Sequence, residues 1–226
     1  MFDRVVKIDT CVNDKFDIIV KNEVSDPMVG TRQFDEDALL EAALKTFWQN
    51  GFASTSMIDV AEATGVQRGS LYNAYGDKER LFLLAYDRYS SRFLDSVRQA
   101  LSHPDPAVAL TALFKGVVAG MTEGAPSRGC LTTKTAIELP LAGKAIEARV
   151  KRLIEDFTAL IRDALSTPAA RRKLSCDPDI AADLAVTFTR GLAVMERAYR
   201  NPQHLEKMSR QFVRILLPEA RRRRGV

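Results

Sequence analysis

Apolar residues recur along this chain every three or four positions, which is the spacing of α-helices with one buried face. The first such segment follows Asp35, a residue type that caps helices, and ends at Asn50-Gly51, where glycine permits a left-handed stop. Its apolar face consists of Leu39, Ala42, Ala43 and Phe47. Alternating runs of β-branched residues are few, so the pattern predicts an all-α fold.

Prolines and glycines divide the rest of the chain into further helices, because proline cannot donate the helical backbone hydrogen bond. Asp77 is expected to cap a long helix, and Asp177-Pro178 combines a cap with a first-turn proline. The helices predicted after residue 76 cover 77–102, 104–123, 130–139, 143–166, a short piece from 168, 178–200 and 204–217. No run of 18 apolar residues occurs, so we expect no membrane-spanning helix.

The segment before this long helix begins with a capping-box pattern. Ser56 supplies a hydroxyl, and Asp59 supplies a carboxylate three residues later. The helix that they start is predicted to cover residues 57–64 and to bury Ile58 and Ala61. Because alanine is small, a second helix can cross close to this one.

A tight turn and a second short helix complete this segment. Gly65 allows the positive φ of the turn. The second helix is predicted to cover residues 67–74, with Leu71 and Tyr75 turned inward. Two helices joined by a short turn that contains glycine are typical of the helix-turn-helix, whose second helix enters the major groove of DNA.

The exposed face of the second helix carries side chains suited to DNA. Arginine can donate two hydrogen bonds to guanine, and asparagine or glutamine can pair with adenine. Hydroxyls and a lysine suit phosphate oxygens, and a helix N-terminus is itself an anion site. We therefore expect DNA contacts from Arg32, Thr55, Ser56, Gln67, Arg68, Gly69, Ser70, Tyr72, Asn73 and Lys78.

The net charge gives little support to DNA binding. The whole chain carries a formal charge of +4, but residues 30–89 hold six basic and nine acidic residues, which is a local charge of −3. The prediction therefore depends on the local pattern and on a few placed cations rather than on bulk charge.

The motif resembles a known family. The run from Thr64 to Phe82, TGVQRGSLYNAYGDKERLF, is similar to the signature of the TetR/AcrR family of bacterial transcriptional regulators. Gly51-Phe52 and Thr55-Ser56 fit the segment that precedes this signature. The detailed match covers about residues 32–90, and beyond it the resemblance lies in the number and length of the helices.

The resemblance implies a homodimer that binds a palindromic DNA operator and acts in the bacterial cytoplasm. It also implies a repressor that a small-molecule inducer releases from DNA. We expect a helix-turn-helix domain at residues 30–76, a larger helical domain for ligand binding and dimerisation at 77–220, and a basic tail at 221–226. Residues 1–29 differ in composition, and we expect a poorly ordered extension there or a natural start at Met28.

The inducer site is predicted within the larger domain. Gly116, Gly120 and Gly124 lie on one helix face, and they indicate either close helix packing or room for a ligand. Apolar side chains nearby suit either a pocket or an ordinary core. The candidate pocket residues are Phe114, Val117, Met121, Cys130, Thr133, Ile137, Phe157 and Phe188.

Cys130 allows a second interpretation of the sensing mechanism. A thiol at a helix start can react with oxidants or electrophiles, and the alternative is a buried cysteine that acts as a small apolar side chain. The chain has three widely spaced cysteines, which do not suggest a disulfide framework or a zinc site and which fit a reducing compartment.

The last two long helices each have an apolar face, which the resemblance assigns to a dimer interface. An intrachain core is the alternative, and one helix can serve both because it can pack on two sides. The candidate interface residues are Leu184, Phe188, Leu192, Met195, Leu205, Met208, Phe212 and Ile215.

Enzymatic function is not supported by the sequence. Only two histidines occur, and there is no nucleophile elbow, phosphate-binding loop, dinucleotide fingerprint or zinc-protease motif. We expect no catalytic residue, no metal and no cofactor. A DNA-binding protein without a small-molecule ligand, or an activator instead of a repressor, remains open at this point.

Overall fold

The structure is a computed structural model, and it describes residues Phe34–Pro218. All regular elements in this range are helical, which confirms the predicted all-α class. The helices are α1 (Glu36–Asn50), α2 (Met57–Thr64), α3 (Arg68–Tyr75), α4 (Lys78–Leu101), α5 (Pro106–Thr122), α6 (Leu131–Glu138), α7 (Lys144–Leu165), α8 (Pro168–Arg171), α9 (Pro178–Tyr199) and α10 (Pro202–Leu216). A 3-10 turn at Leu139–Leu141 follows α6.

Side-chain caps fix the starts of most helices. Asp35 accepts hydrogen bonds from the amides of Asp37 and Ala38, at 2.9 and 3.3 Å. Asp77 accepts from the amide of Arg80 at 2.8 Å. These bonds satisfy donors that a helix start otherwise leaves to solvent, and they confirm the predicted starts of α1 and α4.

Several helix boundaries differ from the prediction by one or two residues. Helix α3 covers Arg68–Tyr75, one residue later than expected. Helix α10 begins at Pro202 and not at His204, because Asn201 is its cap and accepts from the amide of His204 at 3.0 Å.

The first four helices share an aromatic core. The rings of Phe47, Phe52 and Phe82 are in mutual contact, with centroids 5.0–6.4 Å apart. Phe47 comes from α1, Phe52 follows it, and Phe82 comes from α4. This cluster holds α1 and the loop that follows it against the start of the long helix α4.

Helix α2 packs on a different face from the predicted one. Met57 and Val60 are buried, whereas Ile58 is 50% exposed and Ala61 is partly buried. The expectation that Ile58 belongs to the core is therefore wrong. The capping box fixes where the helix starts but not its rotation, and α2 turns the Met57 and Val60 face towards α1.

The larger part of the protein is built around α4. Helix α4 packs against α5 and α7, while α5 also contacts α10 and α7 also contacts α9. An aromatic cluster joins α5, α9 and α10: Phe188 stacks on Phe212 at 4.2 Å, and Phe114 meets both rings edge-on at 5.6 Å. The hydrophobic core runs without a break from α1–α3 into these helices.

Several sequence predictions lie outside the described residues. They are the N-terminal extension at 1–29, the DNA contact of Arg32 and the basic tail at 221–226. Within Phe34–Pro218, no helix is long and apolar enough to cross a membrane. The same range contains no group of three or more His, Cys, Asp or Glu side chains placed to hold a metal ion.

Candidate nucleic-acid interface and ligand cavity

Helix α2 begins with a complete capping box. The Ser56 hydroxyl accepts from the amides of Ile58 and Asp59 at 3.2 Å, and Asp59 Oδ2 accepts from the Ser56 amide at 2.7 Å. The Ser56 hydroxyl also donates to Asp59 Oδ2 at 2.8 Å, and the bonds donated by the Ser56 amide and hydroxyl lower the pKa of the Asp59 carboxyl below its usual value. Gly65, with φ +68°, ends the helix in the left-handed conformation that the tight turn requires.

Helix α3 has one buried and one exposed face. Leu71 and Tyr75 are buried in the core, as predicted. The Arg68 guanidinium lies 5.3 Å from the centre of the Tyr72 ring, so the two side chains restrict each other on the outer face. Ser70 is half-buried, and the exposed residues are Gln67, Arg68, Gly69, Tyr72 and Asn73.

The start of α3 differs from most other helix starts. Gln67 is its N-cap residue, and the Gln67 side chain makes no capping hydrogen bond. The first amides of α3 therefore lie beside the exposed polar face without a side-chain acceptor.

Two predicted phosphate contacts are engaged within the chain. The Thr55 side chain is 1% exposed, and its hydroxyl donates to the Gly51 carbonyl at 2.6 Å. The expectation for the Thr55 hydroxyl is therefore corrected: it closes the loop after α1. Lys78 donates to the Phe52 carbonyl at 2.9 Å, and its ammonium lies 4.4 Å from the Phe52 ring centre.

A cavity of about 1050 Å³ lies between α1, α4, α5 and the loop that leads into α6. Trp48, Tyr89 and Phe93 give it aromatic lining. Gly116 and Gly120 line it from α5, and a Cβ added at either glycine would meet no heavy atom within 4 Å. Gly124, with φ +93°, lies beyond the end of α5, so the prediction that it shares one helix face with the other two glycines is wrong. For Gly116 and Gly120, room for a ligand is the interpretation that the structure supports.

The predicted pocket residues overlap the cavity lining only in part. Val117, Met121 and Cys130 line the cavity. The remaining predicted residues, Phe114, Thr133, Ile137, Phe157 and Phe188, do not.

The five predicted residues that do not line the cavity have other positions in the structure. Phe114 and Phe188 belong to the aromatic cluster with α10, and Phe157 is buried with its ring edge-on to Phe93 at 5.0 Å. Ile137 is 72% exposed on the protein surface. The Thr133 hydroxyl accepts from the Arg190 guanidinium at 3.3 Å, so it lies behind the cavity wall.

Sequence reasoning missed the walls that α1, α4 and α9 contribute. Glu41 and Arg190, for example, are 149 positions apart, and no local motif joins these residues. The one local signal was the aromatic pair Tyr89 and Phe93, spaced four residues apart on α4. The missed wall residues include Glu41, Lys45, Trp48, Tyr89, Arg92, Phe93, Arg128 and Arg190.

The charged side chains of the cavity differ in their partners. Arg92 pairs with Glu41 at 2.8 Å, and Arg128 pairs with Glu123. The Arg128 guanidinium also stacks 4.0 Å from the centre of the Trp48 ring. Arg190 contacts only neutral groups among the described residues.

Two tyrosines and a threonine form a buried polar group behind the cavity. The hydroxyls of Tyr86 and Tyr89 lie 3.4 and 3.2 Å from Thr132 Oγ1. Burial raises the pKa of both phenols, so they remain protonated over the physiological range. This group positions α4 against α6 without adding charge.

Two side chains of α6 hold the C-terminal end of α1. The Lys134 ammonium donates to the carbonyls of Trp48 and Gln49, and burial lowers the pKa of Lys134. The Glu138 carboxylate accepts from the amides of Phe52 and Ala53 at 2.7 and 3.2 Å. We call Lys134 and Glu138 the α6 clamp.

Helices α9 and α10 expose apolar side chains. Of the predicted interface residues, Leu184, Met195 and Ile215 are exposed, and Phe188, Met208 and Phe212 are partly buried. Leu192 and Leu205 are only 3% and 2% exposed. These two residues therefore pack in the core of the subunit, and the prediction that they contact a partner is corrected.

Comparison with known protein families agrees with the sequence motif. The model of bacterial regulatory proteins of the tetR family matches residues 39–85. A model of the tetracyclin repressor-like C-terminal domain matches residues 106–212.

Similar proteins include two repressors. The HTH-type transcriptional repressor ComR of Escherichia coli strain K12 is 28% identical over 193 residues, which cover 80% of this chain and 89% of ComR. The HTH-type transcriptional repressor DhaR of Mycobacterium sp. strain GP1 is 23% identical over 184 residues, which cover 80% of this chain and 91% of DhaR.

Solved structures share the fold. A cysteine mutant of the TetR family regulator CifR, complexed with 26-base-pair operator DNA, has a TM-score of 0.72 and 26% identity, covering 82% of this chain and 98% of the CifR chain. Reduced E. coli NemR has a TM-score of 0.73 at 16% identity, covering 82% of this chain and 97% of the NemR chain. The chain therefore belongs to the TetR family of bacterial transcriptional regulators.

Proposed function

We propose that this protein is a dimeric repressor that binds a palindromic operator through α3 and leaves it when a small molecule binds. The observation that carries the proposal is the construction of α3. Its inner face is anchored by Leu71 and Tyr75, and its outer face presents Arg68, Tyr72 and Asn73 to solvent. The operator-bound CifR structure and the repressors ComR and DhaR support this function.

The DNA-binding step can be tested at the outer face of α3. Genome-wide capture of bound DNA would give the operator, and fluorescence anisotropy would give its affinity. Replacement of both Arg68 and Tyr72 by alanine should abolish operator binding, because each such contact contributes about 1–3 kcal/mol. Circular dichroism should show an unchanged fold, since both side chains are exposed.

Exposed Arg152 on α7 provides the matched control, and its replacement by alanine should leave operator affinity unchanged. Two outcomes would contradict the proposal. Capture could yield no discrete palindromic site, or the double variant could bind the operator as the original protein does.

Dimerisation is supported by the apolar surface of α9. Ile180, Leu184 and Met195 are 53%, 45% and 47% exposed, and their spacing places them on one face of this helix; clustered apolar exposure marks an association surface, whereas a single exposed apolar side chain does not. Leu184→Glu should shift the protein towards monomers in analytical ultracentrifugation and weaken operator binding. Val108 is comparably exposed on α5, so Val108→Glu should leave the dimer intact. Equal sedimentation of both variants would reject this interface.

Release from DNA requires a route from the cavity to α3. Helix α6 supports such a route, because the preceding residue, Cys130, lines the cavity and the α6 clamp holds the end of α1. Helix α1 packs on α2, and α2 packs on α3. A ligand that shifts α6 would thus move the DNA-binding helices through the clamp. Operator affinity that no bound compound alters would favour a regulator without an inducer.

Thiol sensing through Cys130 is a second candidate. The half-buried Cys130 lies on the cavity wall, with its sulfur 3.6 Å from Arg190 Nη1, so a small electrophile entering the cavity can reach it. Cys130→Ser should then abolish release from the operator by an alkylating agent such as N-ethylmaleimide. Cys176→Ser is the matched control, since Cys176 is also half-buried. Unchanged release in the Cys130 variant would remove this candidate.

A further inference from the structure

We propose that the cavity accommodates an aromatic carboxylate, with the carboxylate bound to Arg190 and the ring packed on the wall formed by Trp48, Tyr89 and Phe93. The proposal rests on the ligand-responsive function above and specifies the chemistry of the ligand. Three independent features of the cavity carry it: the partners of Arg190, the balance of charge on the wall, and the shape of the apolar surface.

Arg190 is the strongest of these features. Its guanidinium donates to Thr133 Oγ1 at 3.3 Å and to Thr189 Oγ1 at 3.2 Å, and it lies 3.6 Å from Cys130 Sγ. All three partners are neutral, and no described carboxylate lies within ion-pair distance of Arg190. A half-buried guanidinium has lost part of its hydration, and a carboxylate is the group that best replaces it, since the two can form paired charge-assisted hydrogen bonds.

The charges of the other two arginines in the cavity wall are already balanced by carboxylates. Arg92 is paired with Glu41, and Arg128 is paired with Glu123. Lys45 adds a further cation to the lining, so the wall carries four cations and two carboxylates. This excess of positive charge favours an anionic ligand and disfavours a cationic one.

The apolar surface of the cavity suits a ring. Trp48 and Tyr89 meet edge-on at 4.9 Å, so their faces are set at a large angle. Gly116 and Gly120 leave the opposite wall on α5 without side chains. Offset and edge-to-face contacts with aromatic walls stabilise an aromatic ligand more than a saturated one of equal size. At about 1050 Å³, the cavity has room for a ring and a chain that separates it from the carboxylate.

The test uses 4-phenylbutanoate and three matched probes. 4-Phenylbutanamide removes the charge, 4-phenylbutylammonium reverses it, and 4-cyclohexylbutanoate replaces the aromatic ring. Isothermal titration calorimetry gives the affinities. Trp48 is the single tryptophan of the chain and lies on the cavity wall, so its fluorescence reports whether a probe occupies this site.

The aromatic acid is expected to bind at least tenfold more tightly than the amide and the ammonium compound. It should also bind more tightly than the cyclohexyl acid. Arg190→Gln should remove the preference for acid over amide, and Arg190→Lys should retain part of it. Arg152→Gln, at an exposed arginine outside the cavity, should leave the preference unchanged.

Equal binding of acid and amide, tighter binding of the ammonium compound, or no response of Trp48 to any probe would overturn the inferred ligand class. An unaltered preference in a folded Arg190→Gln protein would also overturn it. The selectivity of the unmodified protein decides the matter if the variants fail to fold.

Operator binding separates this proposal from the proposed function. If the acid binds at Trp48 with the expected selectivity but never alters operator affinity, the ligand class stands and ligand-controlled release fails. If a small-molecule extract releases the operator while the acids do not bind, the ligand class fails and the proposed function stands.

Discussion

The DNA-binding helices and the ligand region differ in how their space is filled. Around α1–α3, the rings of Phe47, Phe52 and Phe82 close the core, and every helix start except that of α3 has a side-chain cap. Beside α5, by contrast, about 1050 Å³ is left unfilled. A filled core holds α3 in one position, whereas an unfilled one can gain packing only when another molecule enters. Under the proposed function, the filled part keeps its shape and the unfilled part responds to a ligand.

Polar contacts join α1 to α6 and to the loop before it. The α6 clamp binds the C-terminal carbonyls of α1 and the amides that follow it, and the Trp48 indole donates to the Gly129 carbonyl at 2.9 Å. Trp48 thus belongs to α1 and lines the cavity at the same time. Such contacts can transmit a small shift because each joins a group on or directly after α1 to a group on α6 or on the loop before it.

The largest effect on stability is expected when a large side chain is removed from the core around α1–α3. Phe47 is completely buried, so Phe47→Ala should lower the free energy of unfolding by about 3–5 kcal/mol, measured by urea denaturation. Val108→Ala, at an exposed position on α5, should change it by less than about 0.5 kcal/mol. Similar losses in the two variants would mean that Phe47 contributes no more than a surface residue and that the core around α1–α3 is not tightly filled.

An intermediate effect is expected at the α6 clamp. Glu138→Ala removes a charged acceptor from the amides of Phe52 and Ala53, which should cost about 1–3 kcal/mol of stability. Hydrogen exchange measured by mass spectrometry should accelerate in the peptide that contains these two amides. Glu155 on α7 is exposed, and Glu155→Ala should leave that peptide unchanged. Unchanged exchange in the Glu138 variant would show that the clamp does not hold α1.

The smallest effect is expected from alanine substitutions at two glycines, one in each region. Gly116 has open space at its Cβ position, so Gly116→Ala should stabilise α5 by about 1 kcal/mol. Gly51 has φ +89°, and a Cβ there would collide with the Glu138 carboxylate, so Gly51→Ala should destabilise the protein. Thermal denaturation should therefore give shifts of opposite sign. Shifts of the same sign would contradict the difference in filling.

The sequence predicted those parts that depend on short-range chemistry. The cap of Asp35, the capping box of Ser56 and Asp59, and the turn at Gly65 act over a few residues, so each was visible in the sequence and is present in the structure. The helical class and the order of the helices followed from the spacing of apolar residues and from the positions of the prolines. The exposed face of α3 followed as well, because Leu71 and Tyr75 fix its rotation.

The cavity could not be predicted in the same way, since its shape depends on which helices meet. Trp48 and Arg190 are 142 positions apart and contribute to one wall only because α1 and α9 both approach the loop before α6. Phe157 and Ile137 were assigned to the pocket as apolar residues, yet one is buried in the core and the other faces solvent. The spacing of the glycines of α5 is visible in the sequence, but it does not show whether they allow close helix packing or leave room for a ligand. The open space around them in the structure decides between these interpretations.

The uncapped start of α3 has a thermodynamic consequence. A missing side-chain cap leaves a helix less stable by about 1 kcal/mol, and here the deficit falls at the start of the helix that we propose binds DNA. A phosphate oxygen can accept from the amides that Gln67 leaves to solvent. Completion of α3 and occupation of the operator are then parts of one linked equilibrium, in which DNA acts as a stabilising ligand of the fold. On that basis the melting temperature of the protein should rise with operator concentration, with the gain in order greatest at α3.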